Sequence, residues 1–417
     1  MKQLLKQIIY EQRLPIETEY IVRDFPESLV KSKEIVIISG IRRCGKSVLL
    51  KQIQKLNAEG DFYINFDDER LIKFAVDDFQ LLHEVFIELF GVQNTFYFDE
   101  IQNIYGWERF VRRLYDAGGK IYITGSNATM LSRELGTHLT GRYVAFELYP
   151  FSFKEYLRYI KLDFTPDNFY TTKGRALFRK AFEAYFINGG FPQYLTNKSV
   201  DYLKSLYESI LYRDVLVRNK LTNEREILEL LYYLASNVSK LSSNNALKGI
   251  IGISSGTTIK NYLEYIANTY LIFQVSKYDY SLKKQIHNPK KTYFIDNALV
   301  IKLGFSFSEN NGRLLENLIA LQLKRNGEDI YYHNSTHECD FLIRRNTRIT
   351  GAIQVCFDMS AERALSREMA GLTNVMNHFG LTEGIIITMD EEKDVEVKPQ
   401  GIIKLIPAWK WLLGVGR

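Results

Sequence analysis

Apolar positions along the chain follow two periods. The runs 34–39, 95–98 and 120–124 are dominated by apolar, β-branched or aromatic residues, which predicts short strands buried on both faces of a parallel sheet. Residues 48–56 switch to helical spacing, with Leu49, Leu50 and Ile53 on one side. From 151 to 220 the helical period takes over, through Phe153, Tyr156, Leu157, Phe182, Tyr185, Phe186, Leu206, Ile210 and Val215. Such aromatic stripes predict helix-on-helix packing, with Gly189-Gly190-Phe191-Pro192 as the turn that interrupts them. Residues 225–275 predict a helix at 227–235, a second capped by Ser242 or Ser243, a third at 257–270 and a strand at 271–275. That is the order of a winged helix-turn-helix. A further helix opens near Gly312-Arg313-Leu314, and strands follow at 330–333, 339–343 and 350–356.

A chain of 417 residues is too long for a single hydrophobic core, so several domains are expected. With 46% hydrophobic and 25% charged residues, the composition excludes a disordered or fibrous chain. The formal charge of +5 permits a phosphate-bearing partner without requiring one. Three scattered cysteines cannot frame a disulfide scaffold, which points to a reducing compartment. No apolar run reaches the roughly 18 residues that span a bilayer, and charges interrupt the first residues where a signal peptide would be apolar. A cytoplasmic protein with no membrane partner is the expectation.

The chemistry begins where the first strand ends. Gly40-Ile41-Arg42-Arg43-Cys44-Gly45-Lys46-Ser47 fits G-x-x-x-x-G-K-[ST] between a strand and a helix. Glycines let backbone N–H groups curl around phosphate oxygens, and the helix beginning near Val48 adds its N-terminal partial charge. Lys46 is expected to reach the β and γ phosphates and Ser47 to ligate Mg²⁺. The nucleotide-binding set is therefore Gly40, Arg42, Arg43, Cys44, Gly45, Lys46, Ser47 and Val48, although Arg42 and Arg43 also suit solvent-facing positions. Thr95-Phe96-Tyr97-Phe98-Asp99-Glu100 brings two acids to a strand's C-terminal end, where open parallel sheets bind ligands. Asp99 is expected to hold the metal and Glu100 to polarise the attacking water. After the strand at 120–124, Ser126 or Asn127 either senses the γ phosphate or merely caps the next helix.

The runs Phe98-Asp99-Glu100-Ile101-Gln102-Asn103, Gly106-Trp107, Thr124-Gly125-Ser126, Gly141-Arg142, Leu148-Tyr149-Pro150-Phe151, Gly189-Gly190-Phe191-Pro192 and Tyr212-Arg213-Asp214 together resemble the bacterial and archaeal AAA-type P-loop ATPases that carry a C-terminal domain of unknown function with a restriction-endonuclease-like fold. The resemblance covers nearly the whole chain. It implies that Arg142 is an arginine finger inserted into a neighbouring subunit, hence a homo-oligomer, with an intrachain ion pair as the alternative. It also implies a nuclease-like end in which acids at the positions of Asp340 and Gln354 hold Mg²⁺, a lysine stands at the position of Cys356, and Glu316 assists. Gln354 and Cys356 depart from that pattern, because an amide carries no charge for a hard cation and a thiol does not replace an ammonium. Cleavage is not expected. A zinc reading of His333, His337 and Cys339, completed by Cys356, is weaker, since no fourth ligand is in sequence register.

The expected architecture is α/β: a P-loop NTPase parallel sheet at 1–150, a helical lid at 151–224, a winged-helix region at 225–305 and a restriction-endonuclease-like α/β domain at 306–417. The expected activity is Mg-dependent ATP hydrolysis, coupled to the C-terminal arm. DNA is a possible partner through Lys260, Lys283, Lys284, Lys290 and Lys291, although the same fold also serves protein packing. The alternative is an ATP-switched DNA or protein adaptor with negligible turnover; the presence of Glu100 favours hydrolysis.

Overall fold

The computed structural model describes residues 1–13, 20–126, 139–304, 311–335, 338–358, 362–398 and 401–415. The chain forms two compact units. One contains Met1–Tyr149 with Asn268–Tyr270, and the other contains Pro150–Ala267 with Leu271–Arg417.

The first unit is built on a parallel sheet of β1 (Ile35–Ser39), β2 (Phe62–Asn65), β3 (Thr95–Asp99), β4 (Lys120–Gly125) and β5 (Tyr143–Glu147). Their order is β2-β3-β4-β1-β5, and every neighbouring pair runs parallel. β1 is buried at all five positions, as expected of a central strand covered on both faces. The helices Lys2–Arg13, Phe79–Phe90 and Trp107–Asp116 contribute Leu5, Phe79 and Trp107 to one continuous core with Phe62, Phe96 and Phe98 of the sheet. The register sets Ser39 opposite Gly125 and Asn65 opposite Asp99. The C-terminal ends of β1, β3 and β4 are thereby aligned, so side chains just beyond them converge.

The second unit opens with helices Phe153–Tyr159, Thr172–Asn188, Pro192–Asn197 and Val200–Ser209, followed by the wide-turned segment Ile210–Val217. The expected aromatic stripe is an interior one: Phe153 packs edge-on to Phe182, and Tyr156 lies against Tyr185. Helices Glu224–Ser236, Asn244–Ile251 and Gly256–Asn268 come next, and Ser243 rather than Ser242 caps the second by accepting from the Ala246 N–H. A small antiparallel sheet follows, with β6 (Leu241–Ser242), β7 (Ile272–Val275) and β8 (Lys290–Phe294) in the order β6-β8-β7. The expected lysine-rich ribbon between β7 and β8 contains a short helix, Leu282–His287, capped by Ser281.

The C-terminal strands are β9 (Asp329–Asn334), β10 (Glu338–Arg345), β11 (Arg348–Val355), β12 (Glu383–Thr388), β13 (Lys393–Val397) and β14 (Gly401–Pro407). They form one mixed sheet in the order β13-β14-β12-β11-β10-β9. β9, β10 and β11 are the expected meander, which continues into parallel β12 and β14. Leu372, Val375 and Met376 of helix Glu362–Phe379 pack on Ile386, Ile403 and Leu405 of that sheet.

Candidate nucleotide site

The loop after β1 takes its shape from its glycines. Gly40 has φ 142°, and a Cβ there would lie 2.1 Å from the Leu148 carbonyl oxygen. Gly45, with φ 103°, directly precedes helix Lys46–Leu56, so the loop turns sharply into the helix N-terminus. Lys46 is 5% exposed, and its ammonium donates to the carbonyls of Gly40 and Ile41 at 3.2 and 3.3 Å. It also lies 3.5 Å from Glu100 Oε1. Burial alone would lower the Lys46 pKa, but Glu100, Cys44 and Asp99 outweigh it, so the ammonium is held above its ordinary value.

Asp99 is fully buried at the tip of β3 and accepts from the hydroxyls of Tyr63, Thr124 and Ser47. Burial and the neighbouring Glu100 charge push its carboxyl up despite those bonds. Glu100 leaves the strand at φ 53°, and its N–H donates to Thr124 Oγ1 at 2.9 Å. Burial raises the Glu100 carboxyl, but Lys46, Arg42 and donors from Gln102 and Ser126 reverse the sign and hold it below its ordinary value. The two adjacent acids are thus driven in opposite directions.

Sequence reasoning missed the support of this loop. Arg23 comes from a segment far upstream, is 6% exposed, and donates to the carbonyls of Cys44 at 2.8 Å and Tyr149 at 2.7 Å. Its backbone N–H donates to Gln52 on the helix after the loop. A lone arginine outside any motif carries no signal in sequence. Tyr63 and Thr124 are equally silent, because they lie on two separate strands and only the sheet register brings them to Asp99.

The expected residues fall out as follows. Lys46, Ser47, Asp99, Glu100 and Ser126 converge, and Ser126 is buried with its hydroxyl on Glu100. Asn127 lies outside the described residues. Arg42 is half-buried, with its charge felt at both Lys46 and Glu100, whereas Arg43 is exposed at φ 67°. The Cys44 thiol is buried and pushed up by desolvation, so it contributes its backbone and not a reactive thiolate. Arg142 lies at the start of β5, with its carbonyl accepting from Ile35 N and its Nε 3.2 Å from Asp116.

A glycine loop that tolerates no Cβ at Gly40, a helix N-terminus, a buried ammonium and a hydroxyl-bonded carboxylate are the parts a Mg-nucleotide requires. The donor set fits one: Lys46 and the loop amides for the phosphates, Ser47 and Asp99 for the cation.

In the second unit, Asp340, Gln354, Glu316 and Cys356 assemble near one another, with an unexpected member. Lys291, expected to face DNA, is 3% exposed and ion-paired to Glu316, Glu338 and Asp340, which removes it from any phosphate-binding surface. Tyr278 is likewise taken up, its ring packed edge-on against Tyr331 and Phe379. Lys260, Lys283 and Lys284 are exposed and Lys290 half-exposed. For the zinc reading, Cys339 is a buried thiol directed at backbone carbonyls and His337 lies outside the described residues. Among the described residues no group of His, Cys, Asp or Glu is arranged to hold a metal ion. Among them, too, no helix is long and apolar enough to cross a membrane.

Comparison with known proteins places this geometry. The AAA domain family model matches residues 32–157, and a model described as a domain of unknown function matches 179–310, over the helical middle and not the C-terminal sheet. An uncharacterized protein of Methanocaldococcus jannaschii is 35% identical over 433 residues, covering 98% of this chain and 96% of the relative. An uncharacterized protein of Haemophilus influenzae is 29% identical over 412 residues, covering 94% of this chain and 98% of the relative. Among solved structures, Cdc6p from Pyrobaculum aerophilum covers 69% of this chain and 96% of its own at 14% identity, with a TM-score of 0.28. With the AAA match lying on the glycine loop, both strand-tip acids and the five-stranded parallel sheet, the chain belongs to the AAA-type P-loop ATPase family.

Proposed function

We propose that the chain binds Mg-ATP on the loop 40–48 and hydrolyses it, and that hydrolysis is coupled to the second unit acting on nucleic acid. The observation that carries the hydrolytic reading is the pairing of Asp99 and Glu100 at one strand tip. Asp99 is held by three hydroxyls, while Glu100 is kept ionised 3.5 Å from the Lys46 ammonium. Lys46 and the loop amides hold the phosphates. Ser47 and Asp99 hold the cation, which neutralises charge on the transferring phosphoryl group. Glu100, anionic at neutral pH, orients the attacking water, and Ser126 lies on its carboxylate to report the γ phosphate.

Support for a nucleic-acid partner comes from a cleft of about 520 Å³ lined by Ser243, Asn245, Thr257, Lys260, His287 and Lys290. Exposed cations beside amide and hydroxyl donors suit phosphate and sugar oxygens. The order of helices Glu224–Ser236, Asn244–Ile251 and Gly256–Asn268 followed by β7 and β8 supports this reading, since it is the order of a winged helix-turn-helix. Arg142 is proposed to exchange its Asp116 partner for a neighbouring subunit's nucleotide in an oligomer.

The test is the ATPase rate of the full chain with and without duplex DNA, single-stranded DNA and RNA. Stimulation lost in the double variant Lys260→Glu/Lys284→Glu, with basal rate intact, is the expected outcome. A rate indifferent to all three polymers would remove the nucleic-acid assignment while leaving hydrolysis standing.

A further inference from the structure

The second unit contains a buried charge cluster that plays no part in nucleotide chemistry. Lys291 on β8 is 3% exposed, and its ammonium lies 2.9 Å from Asp340 Oδ1, 3.0 Å from Glu316 Oε1 and 3.2 Å from Glu338 Oε1. The carboxylates come from two elements, helix Asn311–Arg325 and β10, and the ammonium from a third. Their remaining valences are met locally. Tyr293 OH donates to Glu316 Oε1 at 2.6 Å, Val355 N–H donates to Asp340 Oδ2 at 3.1 Å, and Gln354 Oε1 accepts from Asp340 N at 3.0 Å. Gln354 spends its own N–H on Glu368 at 2.8 Å and brings no charge to the centre.

Taking several ionised groups out of water is unfavourable unless charge and hydrogen bonds are both matched. Here the match is made inside the chain. Burial would lower the Lys291 pKa, but Asp340, Tyr293, Glu316 and Glu338 more than reverse it, so the ammonium stays charged. Burial and the Asp340 charge push Glu316 up to about 7, opposed by the Lys291 ammonium and the Tyr293 hydroxyl, so it is the ammonium that lets Glu316 and Asp340 lie together out of water, with the half-exposed Glu338 at the rim. A divalent ion would leave this centre over-neutralised as well as sterically excluded by the lysine.

We propose that Lys291 is the resident cation of this carboxylate site: its ammonium fills the place of a divalent metal, renders the C-terminal sheet independent of metal, and ties the β6-β8-β7 sheet to it. The tie is reinforced alongside, where Tyr278 N–H donates to the Tyr332 carbonyl and Tyr332 N–H to that of Ser276. A single substitution that removes the ammonium leaves Glu316, Asp340 and Glu338 facing one another and creates a latent divalent-cation site.

The experiment compares thermal unfolding of the nucleotide-free full chain in Mn²⁺ and in EDTA for wild type, Lys291→Met and Lys291→Met/Asp340→Asn. Wild type is expected to unfold at the same midpoint in both. Lys291→Met should be the least stable of the three in EDTA and rise by roughly 5 to 10 °C in Mn²⁺ at a hundredfold excess over its Kd. The double variant should be more stable than Lys291→Met in EDTA and gain nothing from Mn²⁺, so the two variants exchange rank between the buffers. Three results would overturn the proposal. One is a wild-type midpoint that Mn²⁺ raises, a rise that a parallel Asp340→Asn variant does not show, since the metal would then displace the lysine. Another is Lys291→Met gaining nothing from Mn²⁺. The third is Lys291→Met failing to fold even with Mn²⁺ while the double variant folds.

Discussion

At the scale of single residues, the nucleotide loop is held by groups that do not themselves touch phosphate. Arg23 donates two charge-assisted bonds to carbonyls on either side of the loop, each worth about 1.5 to 3 kcal/mol when buried. Arg23→Ala leaves both carbonyls without that donor while keeping the backbone bond to Gln52. The expected outcome is a loss of about 2 to 3 kcal/mol in stability and an ATP Kd raised about tenfold, measured by thermal unfolding and nucleotide titration; unchanged affinity would confine Arg23 to the fold. Cys44 gives a complementary check. Because burial pushes its thiol up, it should resist alkylation at pH 8 in the folded chain and react only after unfolding, as a thiol count in native and denatured protein would show.

At the scale of elements, the turn Gly189-Gly190-Phe191-Pro192 is explained by what it docks against. A Cβ on Gly189, which has φ 64°, would lie 2.0 Å from Asp296 Oδ1, and one on Gly190 would lie 2.2 Å from the Phe151 carbonyl oxygen. Asp296 accepts from the N–H groups of Gly190 at 2.7 Å and Ala298 at 2.8 Å, so one carboxylate caps helix Asn297–Leu303 and fixes the Gly189-Gly190 turn. Asn297 and Asn317 extend the junction through bonds to Phe186, Leu314 and Phe294 carbonyls. Burial raises Asp296 to about 6 from 3.8, against the pull of its backbone donors and Arg325. A folded pKa above the unfolded one means that the contribution of Asp296 is complete below pH 4 and is lost as pH rises through 6. The loss is of the order of 3 kcal/mol at about 1.36 kcal/mol per unit. Wild-type stability measured by denaturant between pH 4 and 7 should therefore fall relative to Asp296→Asn, and parallel curves would contradict the assignment.

The same scale shows what sequence can carry. The P-loop and the Asp99-Glu100 strand tip are legible because each is a contiguous motif in which spacing and chemistry lie together. The meander β9-β10-β11 is legible as three short strand-favouring runs separated by polar turns after a helix. Lys291 is not, because its neighbours are lysines on a ribbon and nothing local distinguishes the one that turns inward. It is buried only by the packing of β8, covered from Lys291 to Phe294, against helix Asn311–Arg325 and β10. The short helix Leu282–His287 was hidden for the opposite reason: it is exposed, so no apolar period marks it.

The molecule as a whole joins an AAA-type P-loop unit to a second unit in which Lys291 lies buried among carboxylates beside the C-terminal sheet. If Arg142 acts in a neighbouring subunit, specific ATPase activity should rise with protein concentration in wild type and stay flat in Arg142→Ala; equal rates at every concentration would leave Arg142 as a partner of Asp116 alone. The central claim is that the paired acids at the tip of β3 make an ATPase. It is tested most directly by measuring ATP binding and steady-state hydrolysis for wild type and Glu100→Gln. The prediction is measurable turnover by wild type and retained ATP binding with a rate roughly 10² to 10⁴ lower in Glu100→Gln. Equal rates in the two proteins would contradict it and make the chain a nucleotide-switched binding module.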